Sequence, residues 1–141
     1  MKPIVGFTFK SCHLSFTFHQ PTLNFVLTTT QLGQKGEALA AQILQAKGYE
    51  IIHQNYRAGR AEIDLIARKD DWILFVEVKT RTNLSYGYPE SFVSPKKIER
   101  IKKAADQFVY ETNWRGNIRF DVIAISMSRT KTEIEHFEDA L

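Results

Sequence analysis

The chain has 141 residues, 43% hydrophobic and 25% charged, with a single cysteine; it is long enough for one domain with its own core and too apolar for a disordered chain. Its formal charge of +3 owes two lysines, Lys2 and Lys10, to residues 1–30, which carry no acid, so only local clusters can argue for nucleic acid. Cys12 alone excludes a disulfide framework and a cysteine-rich zinc site and suits a reducing, cytoplasmic setting, and no run approaches the roughly 20 apolar residues of a membrane span.

Residues 1–30 are rich in Phe, Thr and Ser, and alternate only in scraps such as Phe7-Thr8-Phe9. Lys10, His13, His19 and Pro21 interrupt every candidate signal-peptide centre. The segment reads as a poorly ordered extension, with a targeting peptide or an added edge strand as alternatives. The domain is expected to begin near Gln31 and to run to residue 141. Gln34 to Lys47 predicts a helix with Ala40, Ile43 and Leu44 on its apolar face and Gly48 as its stop.

Tyr49–Asn55, Ala61–Ala67 and Trp72–Lys79 predict three strands, the last two joined by the polar turn Arg68-Lys69-Asp70-Asp71. A loop with Tyr86, Gly87, Tyr88 and Pro89 follows, placed either to pack on the domain or to stack on bases. Ser94 as N-cap and Pro95 at the first helical position open a second helix to about Glu111. Ile118–Met127 predicts an apolar strand and Glu133–Phe137 a short edge strand. The order αβββαβ implies an α/β fold whose mixed central sheet is flanked by helices.

The third strand, WILFVEVK, is apolar on both faces until Glu77 and Lys79 appear together on one of them. Charge at the end of a covered strand is costly unless it is paired or metal-bound. In the preceding strand, alternation groups Glu62, Asp64 and Ile66 on one face. A two-residue turn at Asp70-Asp71 sets Asp64 opposite Glu77 and Glu62 opposite Lys79, and facing Cβ atoms lie about 4.5–5.5 Å apart. Glu62 and Lys79 then make an ion pair, whereas two facing carboxylates need a proton or a cation between them. Such a pair suits a hard ion such as Mg²⁺ or Mn²⁺, with Lys79 placed to orient or deprotonate a water. Glu37, in the first turn of the first helix, is either a third acid of this site or a complement to the helix dipole.

Five blocks in order, GQKGEALAAQILQAKGYEII, NYRAGRAEIDLIA, LFVEVKTR, GYPESFVSPKK and IRFDVIAI, resemble the YraN family of small bacterial proteins over residues 31–141. The resemblance implies a restriction-endonuclease-like, three-layer αβα fold, similar to archaeal Holliday-junction resolvases of the PD-(D/E)xK nuclease superfamily. Those enzymes use a helix glutamate, a strand aspartate and an E-x-K tripeptide, which match Glu37, Asp64, and Glu77 with Lys79. The implied activity is metal-dependent hydrolysis of phosphodiester bonds in DNA, branched DNA included, with Glu37, Asp64 and Glu77 as metal ligands. The rival class is a non-catalytic nucleic-acid-binding or adaptor domain that keeps the fold.

Phosphate contacts are expected from Arg57 and Arg60 before the acidic strand, from Thr80 and Arg81 after Lys79, and from Lys96, Lys97 and Arg100 on the second helix. The helix cluster, which also includes Lys102 and Lys103, reads equally as a solvated face. Junction cleavage needs paired cuts and so implies a homodimer. Asp121 is expected to pair with Arg119. His53 and His136 have no metal-ligand spacing and no assigned role, and Glu133, Glu135, Glu138 and Asp139 read as a solvated acidic end.

Overall fold

The computed structural model describes residues 11–16, 28–82 and 93–141, the first of these segments as backbone. Its elements in chain order are β1 (Ser11–Phe16), α1 (Thr29–Ala46), β2 (Glu50–Ala58), β3 (Ala61–Lys69), β4 (Trp72–Arg81), α2 (Pro95–Glu111), β5 (Asn117–Met127) and β6 (Thr132–Phe137). They form one mixed sheet in the order β1-β6-β5-β4-β3-β2. Only β4 and β5 run parallel, and the crossover between them carries α2.

Each helix covers one face of the sheet, which makes the three layers expected from the sequence. Ala40, Ala41 and Leu44 of α1 pack on Leu65, Leu74, Val76, Ile123 and Ile125. Ile101, Ala104, Ala105 and Phe108 of α2 pack on Ile66, Ile73, Phe75, Val122 and Ala124. β4 is therefore buried on both faces, and Leu74, Phe75 and Val76 have no exposed surface. Among the described residues no helix is long and apolar enough to cross a membrane.

α2 has the expected start, with Ser94 as N-cap and Pro95 at the first helical position. α1 begins five residues earlier than Gln34, because Thr28 and Gln31 close a reciprocal capping box: the Gln31 N–H donates to Thr28 Oγ1 (3.2 Å) and the Thr28 N–H to Gln31 Oε1 (2.9 Å). A threonine-rich run looks unhelical, but it supplies the cap. Gly48 ends the helix with φ +86°. β6 is not an edge among the described residues, since the backbone of Ser11–Phe16 pairs with it antiparallel. Residues 1–10 and 17–27, and the loop residues Tyr86, Gly87, Tyr88 and Pro89, lie outside the described residues.

The hairpin of β3 and β4 turns on Asp70 and Asp71 with Lys69 facing Trp72, in the expected register. That ladder continues only to Leu65 facing Val76. At this point β2 and β3 kink together. Asn55 adopts φ +52°, and Leu65 faces the α1 layer while Ile63, two residues away, faces the α2 layer. Likewise His53 and Tyr56, three residues apart, share the α2 side, where both rings meet Phe108. The expectation that Glu62, Asp64 and Ile66 share a face is therefore corrected: the layer reverses between Ile63 and Leu65, and the β2–β3 register itself shifts between Ile51 and His53, as at a bulge.

Candidate functional site

The kink opens the sheet beside β4, and Asp64 stands in the opening. With no ladder pair recorded beyond Val76, Asp64 Oδ2 takes the place of a strand carbonyl and accepts the Val78 N–H at 2.7 Å. A carboxylate satisfies a backbone donor that the kink would otherwise leave bare.

Glu77 is 2% exposed on the α2 face of β4. Its Oε1 accepts from Lys79 Nζ at 2.8 Å and also from Lys97 Nζ, which comes from the first turn of α2. Its Oε2 is buried without a hydrogen-bond partner. Burial, and after it the negative charge of Glu77, raise the Asp64 carboxyl to about 7, with a smaller push from Glu37. The Val78 N–H and Lys97 pull against that rise without cancelling it. Lys97 itself loses by burial, yet its hydrogen bond to Glu77 and that charge outweigh the loss and lift its ammonium above the usual lysine range.

Glu37 reaches the same region from the opposite layer. Gly36 makes this approach possible, since a Cβ there would lie 1.8 Å from Thr80 Oγ1. Helix and strand meet where only glycine fits. Glu37 Oε2 then accepts from Asn55 Nδ2 at 3.2 Å, so the kink residue Asn55 links α1 to the site. The sequence offered a weak signal for Asn55, a polar residue at the end of the expected strand Tyr49–Asn55.

Among the described residues, no three His, Cys, Asp or Glu side chains converge closely enough to hold a metal ion. Asp64 and Glu77 still provide what a hard cation requires: oxygen donors, mutual repulsion, and one buried carboxylate oxygen left over. The residues thus fit a divalent ion as a two-carboxylate site, with Glu37 felt through its charge and its oxygen engaged by Asn55.

The expected cations divide. Glu62 does not pair with Lys79; it lies 3.4 Å from Arg57, its partner across the β2–β3 ladder, because the kink separates it from β4. Lys97 turns inward to Glu77, whereas Lys96 and Arg100 on the same helix are exposed, as are Arg60 and Arg81. Lys103 is occupied by Glu99 at 2.8 Å, and the Lys102 ammonium lies 5.8 Å from the Phe120 ring centre.

A second polar cluster lies in the α1 layer. Arg119 grips Asp121 through Nε and Nη2, both at 2.8 Å, as its spacing predicts. His136, read as having no role, completes this cluster: Nε2 lies 2.7 Å from Asp121 Oδ2 and Nδ1 2.7 Å from Lys47 Nζ. The Asp139 N–H donates to Asp121 Oδ1 at 3.0 Å, and Arg119 reaches Glu138 at 3.1 Å. The acidic end is thus partly tied down rather than solvated, and Glu133, 8% exposed, pairs with Lys131. Burial opposes ionisation of Asp121 most strongly, but its bonds to His136 and Arg119 prevail and hold the carboxyl below the ordinary aspartate range.

The model of the uncharacterised protein family UPF0102 matches residues 36–125, a span from Gly36 through the acid pair to β5. A UPF0102 protein of Flavobacterium psychrophilum is 45% identical over 109 residues, covering 77% of this chain and 92% of its own length. One from Christiangramia forsetii is 44% identical over 110 residues, with 78% and 92% covered. One from Cytophaga hutchinsonii is 47% identical over 96 residues, with 68% and 85% covered. With matches of that extent across nearly the whole length of its relatives, the chain belongs to the UPF0102, or YraN, family.

Proposed function

We propose that this protein is a divalent-cation-dependent nuclease of the restriction-endonuclease-like kind, acting on phosphodiester bonds in DNA, branched DNA included, in the cytoplasm. The observation that carries the proposal is the Asp64–Glu77 pair: two carboxylates that repel each other beside the end of a central strand, with Lys79 on one oxygen of Glu77 and the other Glu77 oxygen buried without a partner. A purely structural site has no use for that repulsion, since well-packed apolar residues would hold the strand end better.

Asp64 and Glu77 would hold Mg²⁺ or Mn²⁺, which supplies a more acidic water and stabilises charge on a phosphate oxygen. Lys79, its ammonium anchored on Glu77, would orient that water's neighbourhood and can donate a hydrogen bond from Nζ towards the oxygen that gains negative charge. The Val78 N–H fixes the Asp64 carboxylate, so that its second oxygen presents one direction. Arg57, Arg60, Thr80 and Arg81, which flank the acids along the chain, would contact phosphates, and the exposed Lys96 and Arg100 would extend that cationic surface. Cleavage of a four-way junction would require two copies of the chain.

Incubation with linear, flapped and four-way DNA in Mg²⁺ or Mn²⁺ tests the proposal. Asp64→Asn keeps an oxygen for the Val78 N–H, and it should abolish cleavage with the circular dichroism spectrum unchanged. Cleavage unaffected by that substitution would assign the activity to a contaminant.

Lys97 favours a second reading, because an ammonium already seated on Glu77 partly neutralises the site. A DNA-binding or adaptor domain without turnover would bind the same substrates equally well in chelator.

A further inference from the structure

Two ammonium groups meet on one oxygen of Glu77, and they arrive by different routes. Lys79 is two residues along the same strand and shares the Glu77 face, so its contact is local. Lys97 crosses from another layer. It occupies the third position of α2, where the helix dipole disfavours a cation and where an acid would ordinarily be placed. Its side chain is 38% exposed against 1% for Glu77, so it closes the acidic pocket from the solvent side. The Asp64 charge also acts on it.

We propose that Lys97 is a resident counter-ion: it neutralises the Asp64–Glu77 pair in the metal-free protein and gives up its place on Glu77 when a divalent cation binds. The inference rests on the metal-dependent reading above and adds a positioning residue to it, one that sets metal affinity. A lysine suits this task better than an arginine. Its ammonium is a compact point charge on a rotatable stem, readily replaced by another small cation, while a guanidinium fork would lock the carboxylate. The same contact ties the start of α2 to β4, so metal entry loosens that tie and frees a cation at the mouth of the site, where a phosphate would lie.

The test measures Mn²⁺ binding by the full chain at pH 8.5, from the electron paramagnetic resonance of free Mn²⁺. Lys97→Gln should bind Mn²⁺ at least about tenfold more tightly than wild type, the scale expected for removing one like charge at contact distance. Lys103→Gln should match wild type. Without metal, Lys97→Gln should unfold at lower urea than wild type, and saturating Mn²⁺ should close that gap. Should Lys97→Gln not fold without metal, amine labelling of wild type serves: Mg²⁺ should speed modification of Lys97 and leave Lys103 unchanged. Equal or weaker Mn²⁺ binding by Lys97→Gln, or a Lys97 labelling rate indifferent to Mg²⁺, overturns the proposal. If wild type binds Mn²⁺ and Asp64→Asn does not, that failure belongs to Lys97 alone. If no variant binds Mn²⁺, the metal-dependent reading fails and takes this inference with it.

Discussion

Glu77 and Asp121 are both buried acids on neighbouring central strands, and they are satisfied in opposite ways. Asp121 has no exposed surface and uses both oxygens: Oδ1 takes Arg119 Nε and the Asp139 N–H, and Oδ2 takes Arg119 Nη2 and His136 Nε2. Glu77 has two lysines on one oxygen and nothing on the other, with a second carboxylate pressing on it. A planar fork and a ring held in a cross-strand pair are preorganised and hard to displace. Two rotatable ammonium groups are not. The difference separates a cluster whose charges are answered on every side from one whose charges are answered on one oxygen only, the contrast on which the proposed metal site rests.

The largest effect should come from the satisfied cluster. Asp121→Ala leaves the buried His136 without its anion and Arg119 with Glu138 alone, and roughly 3–5 kcal/mol of stability should be lost, read from the urea midpoint. A loss below about 1 kcal/mol would break the contrast, because Asp121 would then be no more anchored than Glu77.

The acid pair should respond with the opposite sign. Asp64 titrates near 7 in the folded chain and near 4 when unfolded, so between those values the folded state binds more protons. Its contribution is complete below about pH 4 and is lost as the pH rises through about 7. Asp121 behaves conversely: its contribution is present above about pH 4 and disappears as the pH falls through its lowered value. Between pH 5 and 8, metal-free wild type should lose stability relative to Asp64→Asn, with a slope approaching about 1.4 kcal/mol per pH unit at its steepest. At pH 8 the substitution should leave the metal-free protein more stable by on the order of 1–2 kcal/mol. Parallel pH profiles for the two proteins would mean that Asp64 and Glu77 do not feel each other.

A similar cost attaches to the contact that brings Glu37 towards the site. Gly36→Ala places a methyl group against Thr80 Oγ1 and should cost about 1–3 kcal/mol, most of it recovered when Thr80→Ala is added. A double-mutant cycle with no coupling would show that α1 approaches β4 for another reason.

Local chemistry made much of this legible in the sequence. Asp70-Asp71 and Ser94-Pro95 are short-range signals, and each sits where it was expected. The turn also delivered the neighbourhood of Asp64 and Glu77, since register propagates from a hairpin along its strands. It did not deliver the kink: the run Ala61–Ala67 alternates as far as Leu65 and is then continuously apolar, which names neither face, and only the folded strands show the reversal, through the positive φ of Asn55 and the register shift between Ile51 and His53. The role of His136 was out of reach for a related reason. It depends on Ile123 facing His136 across β5 and β6, a pairing that no local pattern encodes. Lys97 was correctly seen as part of a cationic cluster, but which member of a charged helix turns inward is decided by the packing of that helix on the sheet.

The reversal at Asn55 and Asp64 has a mechanical consequence. Because β2 and β3 change sides partway along, one hairpin seals both cores: Ile51, Leu65 and Ala67 on one side, Tyr56, Ala61 and Ile63 on the other. Melting either layer would strip one face of the same hairpin, so the domain should come apart as a single cooperative unit rather than leaf by leaf.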